Sequence, residues 1–222
     1  MRIIYFLTGV VIFFNICSCA VYNSLSKAKN GNELIVRKKT RLSGDFNKLE
    51  ILTRDINNAE IRVSISENMS CSIESDENIL PMISTTIKDS ILRIGYPSEY
   101  RPTHLVIELE CKDLNRILLQ GSCNLDLAGL KNSNLAIVSE GISSLNITGV
   151  TELFQLKSEG ICSANLSELD ASRAEITQEG VFYSKVKTNK GVSADLSGIG
   201  MFRYSGEKNH IDRNGPILLF GP

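Results

Sequence analysis

Between Leu114 and Gly206, apolar and polar residues alternate in a phrase that recurs five times around a glycine. The copies are Leu118-Leu119-Gln120-Gly121, Val138-Ser139-Glu140-Gly141, Lys157-Ser158-Glu159-Gly160, Thr177-Gln178-Glu179-Gly180 and Asp195-Leu196-Ser197-Gly198, with glycines 20, 19, 20 and 18 residues apart. Four residues before each glycine stand Ile117, Ile137, Leu156, Ile176 and Ala194; pairs such as Leu125/Leu127 and Leu145/Ile147 follow four and six residues after. Apolar residues two apart on both sides of a fixed glycine predict short strands meeting at a bend, with one side turned inward. A period near 20 predicts stacked coils, because one coil cannot bury its own apolar face. The predicted fold is all-β: a right-handed parallel β-helix, or β-solenoid, with coils of about 20 residues. The hand follows from the usual chirality of parallel crossovers. Leucine-rich repeats share this range of periods but need an Asn or Cys column and a helical segment, which the sequence lacks.

Upstream, Leu49/Ile51, Ala59/Ile61/Val63/Ile65, Cys71/Ile73, Ile83/Thr85/Ile87, Leu92/Ile94 and Leu105/Ile107/Leu109 also alternate. Glu67-Asn68, Asp76-Glu77-Asn78, Asp89-Ser90 and the stretch from Pro97 to Pro102 separate them, as turns separate strands. Pro81 allows one helical turn within Asn78 to Ile83 and little more. Asp76 and Glu77 are expected to be solvated turn residues, since neighbours on a strand point to opposite faces and cannot act as a carboxylate pair.

The N-terminus has a different pattern. Met1-Arg2 precedes an apolar run from Ile3 to Phe14, too short for a mature membrane span and suited to an export signal. Ile16-Cys17-Ser18-Cys19 resembles a bacterial lipobox, with Cys19 as the residue lipidated after cleavage; this reading is favoured over plain cleavage near Ala20. The expected organisation is a signal peptide over residues 1–18, a lipid-anchored tether over 19–33 and one β-helix domain over 34–222. Losing Arg2 from 24 basic residues leaves 23 against 25 acidic ones, net −2, so nothing draws the mature chain onto nucleic acid. Trp is absent, and small and aliphatic residues must carry the packing.

Candidate chemistry is sparse. Cys123 and Cys162 share a column two coils apart, about 9.6 Å at ordinary strand spacing and beyond disulfide reach. Pairing of Cys71 with Cys111 stays open. His104 and His210 are isolated in sequence, and no metal-ligand spacing, nucleophile elbow or phosphate loop occurs. No cofactor is expected. Glu140, Glu159 and Glu179 occupy one column before the repeat glycines. About 4.8 Å apart, they form a ladder that either stands solvated or takes calcium. Repulsion of about 0.9 kcal/mol per neighbouring pair in water is tolerable, so the solvated ladder is favoured and no metal site is assigned.

The residues from Ser75 to Thr85, with Lys88-Asp89-Ser90-Ile91-Leu92-Arg93-Ile94, Leu114 to Ser122, the glycine repeats and Tyr204-Ser205-Gly206, resemble the head GIN domain family, described as putative auto-transporter adhesin and as a domain of unknown function. The resemblance covers the chain from about Leu34 onward and implies a right-handed single-stranded parallel β-helix, often carried on a lipoprotein of Bacteroidota-like bacteria. This chain departs from the family in placing Glu beside the repeat glycine in three coils, where the family favours small-Gly pairs. The expectation is a non-enzymatic outer-membrane lipoprotein, facing the periplasm or the exterior, that presents a β-helix surface to a glycan or protein. The alternative is a carbohydrate-active enzyme, a polysaccharide lyase or hydrolase, since such enzymes also use β-helices. A cleft gathering paired carboxylates would distinguish it.

Overall fold

The computed structural model describes residues 29–53 and 59–222. The Cys19 lipobox, the signal peptide and most of the tether lie outside them. Within them the chain is all-β with mixed sheets. Its strands are β1 (Lys29–Asn30), β2 (Ile35–Arg41), β3 (Lys48–Thr53), β4 (Ala59–Ile65), β5 (Ser70–Asp76), β6 (Ser84–Lys88), β7 (Ile91–Gly95), β8 (Tyr100–Arg101), β9 (Leu105–Cys111), β10 (Arg116–Ser205), β11 (Lys208–Asn214) and β12 (Ile217–Phe220). The single turn at Pro81 is a 3-10 turn over Leu80–Met82.

β10 runs unbroken for 90 residues and contains all five glycine phrases. At one end it lies parallel on β3 and β4, pairing Ile117 with Leu49 and Leu125 with Ile61. Those strands lie parallel on β7 and β9. At the other end β11 and β12 pair with it, again parallel. Side-chain hydrogen bonds link successive repeats, such as Asn146 to Asp126 and Asn165 to Asn146, both at 3.2 Å. The inward residues form one core, in which Leu119, Leu125, Ile137, Leu145, Ile147, Phe154 and Leu156 are buried. Each aliphatic side chain so buried stabilises the fold by about 1.5–3 kcal/mol.

The glycines have a double reason to be there. Gly160 has φ 113°, and a Cβ added to it would sit 2.3 Å from the carbonyl oxygen of Gly141. Gly141 stands the same way over Gly121, Gly180 over Gly160 and Gly198 over Gly180. Only a residue without Cβ tolerates both the backbone angle and this contact. Gly215 continues the column over Gly198 as a sixth member. The sequence hid it, because the preceding Lys208–Asn214 lacks the apolar alternation of the other copies.

The parallel expectation needs correction on the N-terminal side. β2 pairs antiparallel with β5, β5 with β9, and β6 with β7. The turns dictate this. Asp89 (φ 52°) and Ser90 (φ 60°) alone join β6 to β7, and two residues with positive φ make a hairpin that reverses the chain. A second correction concerns Asp76, expected to be solvated: it is fully buried. Its Oδ1 accepts from the Glu33 amide (2.9 Å) and the Thr103 hydroxyl (2.7 Å), and its Oδ2 from the Thr103 amide (2.8 Å). Burial pushes this carboxyl up, but the hydrogen bonds from Thr103, Glu33 and His104 outweigh it and hold it below the usual carboxylate range. A Cβ on Gly31 would meet the Asp76 carboxylate at 2.2 Å, so this close approach also requires glycine. Within the stretch expected to be tether, Lys29 and Asn30 pair with Tyr100 and Arg101.

Part of the core is polar. Ser139, Ser158, Gln178 and Ser184 are buried. The Gln178 amide donates to Ser158 Oγ (3.2 Å) and accepts from Ser184 Oγ (2.7 Å), so two layers share a satisfied polar link. Cys71, Cys111, Cys123 and Cys162 are free and buried, which answers the open question of the first two. Burial pushes Cys71 up to about 11, and Cys111 and Cys123 up to about 12.

Candidate functional site

At each bend, three consecutive residues face outward, as in Glu140-Gly141-Ile142 between buried Ser139 and Ser143. The glycine's positive φ allows this break in alternation. Stacking the repeats turns the triplet into three columns: carboxylates (Glu140, Glu159, Glu179), bare glycine backbone, and aliphatic side chains (Ile142, Ile161, Val181, Ile199). The aliphatic residues are exposed by 53, 50, 49 and 59%. Side chains that would be core residues elsewhere thus form a continuous stripe in water.

The carboxylate column is electrostatically coupled. Gln120 Nε2 donates to Glu140 Oε2 at 2.7 Å, and Lys157 Nζ lies 2.8 Å from Glu159 Oε1. The hydrogen bond and charge of Glu159, with Glu179 and Glu140 beyond it, raise the pKa of the Lys157 ammonium. One exposed lysine thus pairs with Glu159 and feels the charge of the other two glutamates.

Beside the aliphatic stripe, Asn124, Ser144, Ser163 and Tyr183 line a shallow groove of about 400 Å³ whose floor includes Ile161 and Val181. The signal for the stripe was in the sequence, one residue after each glycine. The alternation rule concealed it, because it assigns only every second residue to the outside.

Two further clusters arise from pairings that sequence could not supply. On the outer face of β4, β5 and β9, a concavity of about 300 Å³ gathers Arg37, Glu60, Arg62, Glu74, His104 and Glu108. Its charges are paired: Arg37 with Glu108, Arg62 with Glu60 (2.6 Å) and Glu108 (3.3 Å), His104 with Glu74 (2.9 Å). The second cluster joins His210 to Asp212 (3.2 Å) and Asp195 (3.8 Å). Both histidines, isolated in sequence, thus have carboxylate partners in space. Among the described residues, no helix is long and apolar enough to cross a membrane.

Solved structures share this fold at low sequence identity. A protein from Bacteroides fragilis described as a putative adhesin is 17% identical, with a TM-score of 0.68 over 88% of this chain and 100% of its own. A protein of the same description from Parabacteroides merdae is 18% identical, with a TM-score of 0.55 over 88% of this chain and 99% of its own. One from Parabacteroides distasonis, described as a putative lipid binding protein, is 15% identical, with a TM-score of 0.56 over 88% and 98%. No curated protein matches the chain. The model of the head GIN domain, described as putative auto-transporter adhesin, matches residues 45–207, and the chain belongs to that family.

Proposed function

We infer that this chain is a non-enzymatic cell-envelope lipoprotein, lipidated at Cys19, whose domain over residues 34–222 winds as a right-handed β-helix and binds a protein partner through its glycine-flanked columns. The glycine-on-glycine contacts and the parallel pairing at both ends of β10 support the helical winding. The observation that carries the binding role is the exposed stripe of Ile142, Ile161, Val181 and Ile199. An apolar row with a polar margin is the make-up of a protein interface. A glycan would call for several exposed aromatic platforms, and of the two aromatic residues lining this groove Phe182 is buried and Tyr183 is exposed. The adjoining carboxylates favour a partner with basic residues beside an apolar strip. The carbohydrate-active alternative draws no support from the charged concavity, where Glu60, Glu74 and Glu108 are each engaged by Arg or His.

The test uses beads coated with the protein and immobilised cell-surface extract. Ile161→Lys combined with Val181→Lys, at exposed sites that leave melting unchanged, abolishes bead retention, and protease treatment of the extract does the same. Retention that resists protease and disappears after glycosidase treatment transfers the site to a glycan; retention indifferent to the substitutions removes the stripe from the interface. For the anchor, Cys19→Ala shifts the protein out of the membrane fraction and ends labelling by a clickable fatty acid. Continued labelling overturns the lipobox.

A further inference from the structure

We propose that Asp195, His210 and Asp212 form a binding site for a first-row divalent transition metal, with zinc the best-suited ion, and that the metal clamps β11 onto β10. The register brings the ligands together. Asp195 and Asp212 are direct cross-strand partners, and His210 stands two residues before Asp212 on the same outer face of β11. One potential ligand atom from each side chain lies within 4.8 Å of the other two. The imidazole Nε2 is 3.2 Å from one carboxylate and 3.8 Å from the other. Two ligand atoms on a tetrahedral zinc at about 2.0–2.1 Å are about 3.3 Å apart, so small rotations about χ1 and χ2 bring all three into one coordination sphere.

Three features set this group apart from a merely solvated acidic patch. Like charges directly opposite across a strand pair oppose the pairing by themselves, and a cation between them reverses the sign. The register of β11 on β10 already sets the three side chains side by side, so the ion orders side chains and strand together without a change of pairing. The imidazole selects the metal: nitrogen with two carboxylate oxygens suits zinc, whereas calcium wants six to eight oxygens. The site is exposed, and its remaining coordination positions face water. A clamp has an effect where it sits, because β11 is an edge strand paired with β10 alone whose residues other than Ile211 are all exposed, so little apolar burial holds it down.

Zinc titration of the full protein by calorimetry, with hydrogen exchange over residues 208–214, tests the site. The expected result is one zinc per chain, slower exchange in β11 and a higher melting temperature, with affinity reduced about tenfold or more by His210→Gln and by Asp195→Asn. His104→Gln, at the other His-carboxylate pair, leaves the response intact. All these substituted positions are at least partly exposed, so the variants fold. The proposal is overturned if zinc leaves β11 exchange unchanged, if His210→Gln binds zinc as well as the parent, or if calcium binds equally well and survives that substitution.

Discussion

Thr103 holds both oxygens of Asp76, its hydroxyl on Oδ1 at 2.7 Å and its amide on Oδ2 at 2.8 Å. Three chain segments meet at that carboxylate: the bend between β1 and β2 through Glu33, the end of β5, and the loop before β9. It ties the antiparallel side of the molecule together where apolar burial is thin, since β2 is exposed along its length.

This knot gives stability a definite dependence on pH. The folded pKa of Asp76 lies below its unfolded value, so its contribution is complete above the ordinary Asp range near 3.9 and disappears as pH falls through the folded value. Asp76→Asn should lower the urea midpoint at pH 7 by the equivalent of about 1–3 kcal/mol. The gap from the parent should narrow below about pH 4. A gap that stays constant into acid would show that charge is not what the site stabilises.

The glycine column predicts a severe effect from a small change. Gly160→Ala puts a methyl against the Gly141 carbonyl and forces an unfavourable φ, and should cost about 3 kcal/mol, with Gly160→Val costing more. For a domain of this size that is a fall of roughly 6–12 °C in melting temperature. A melt within a degree of the parent would mean that the layers slide apart without penalty.

Lys157 changes what the glutamate ladder should do. Repulsion alone makes Glu159→Gln stabilising, but the substitution also removes the 2.8 Å ion pair, so the two effects offset. The expected change in unfolding free energy is within about 0.5 kcal/mol of zero. Millimolar calcium should then leave the melting temperature unmoved. A calcium-dependent rise that Glu159→Gln abolishes would make the column a cation site instead.

The four described cysteines should be chemically silent. Burial raises every thiol, and the thiolate is the reactive form. Alkylation with iodoacetamide at pH 8, mapped by mass spectrometry, should leave Cys71, Cys111, Cys123 and Cys162 unmodified in the native protein and modify all four in guanidinium. Rapid native labelling at Cys123 or Cys162 would reveal opening of the layers around them.

What the sequence disclosed and what it withheld divide along contact range. The columns of Ile117, Ile137 and Leu156 and of Gly121, Gly141 and Gly160 were legible because a repeat writes its spatial neighbours at a fixed offset. Asp76 reads in sequence as a solvated turn residue, because its partners Glu33 and Thr103 lie 43 and 27 residues away and share no repeat with it. The cluster of Asp195, His210 and Asp212 needed the register of β11 on β10, and the polar stretch from Lys208 to Asn214 offered no apolar pattern to set it. Gln178 looked like an ordinary member of the phrase until Ser158 and Ser184 appeared around its amide. The elements were local facts, whereas the sites were made by contacts between elements.

Because each glycine rests on the carbonyl of the glycine one layer below, the contact is the same from Gly141 through Gly215 and depends on no side chain along that column. On the helical winding inferred above, the molecule can gain or lose whole repeats the way a measuring rod gains or loses graduations. Joining Gly141 directly to Ile161 would shorten it by about 4.8 Å and leave both ends as they are. Its reach is then an inheritable number that a single in-frame duplication or deletion can reset, independently of whatever its faces bind.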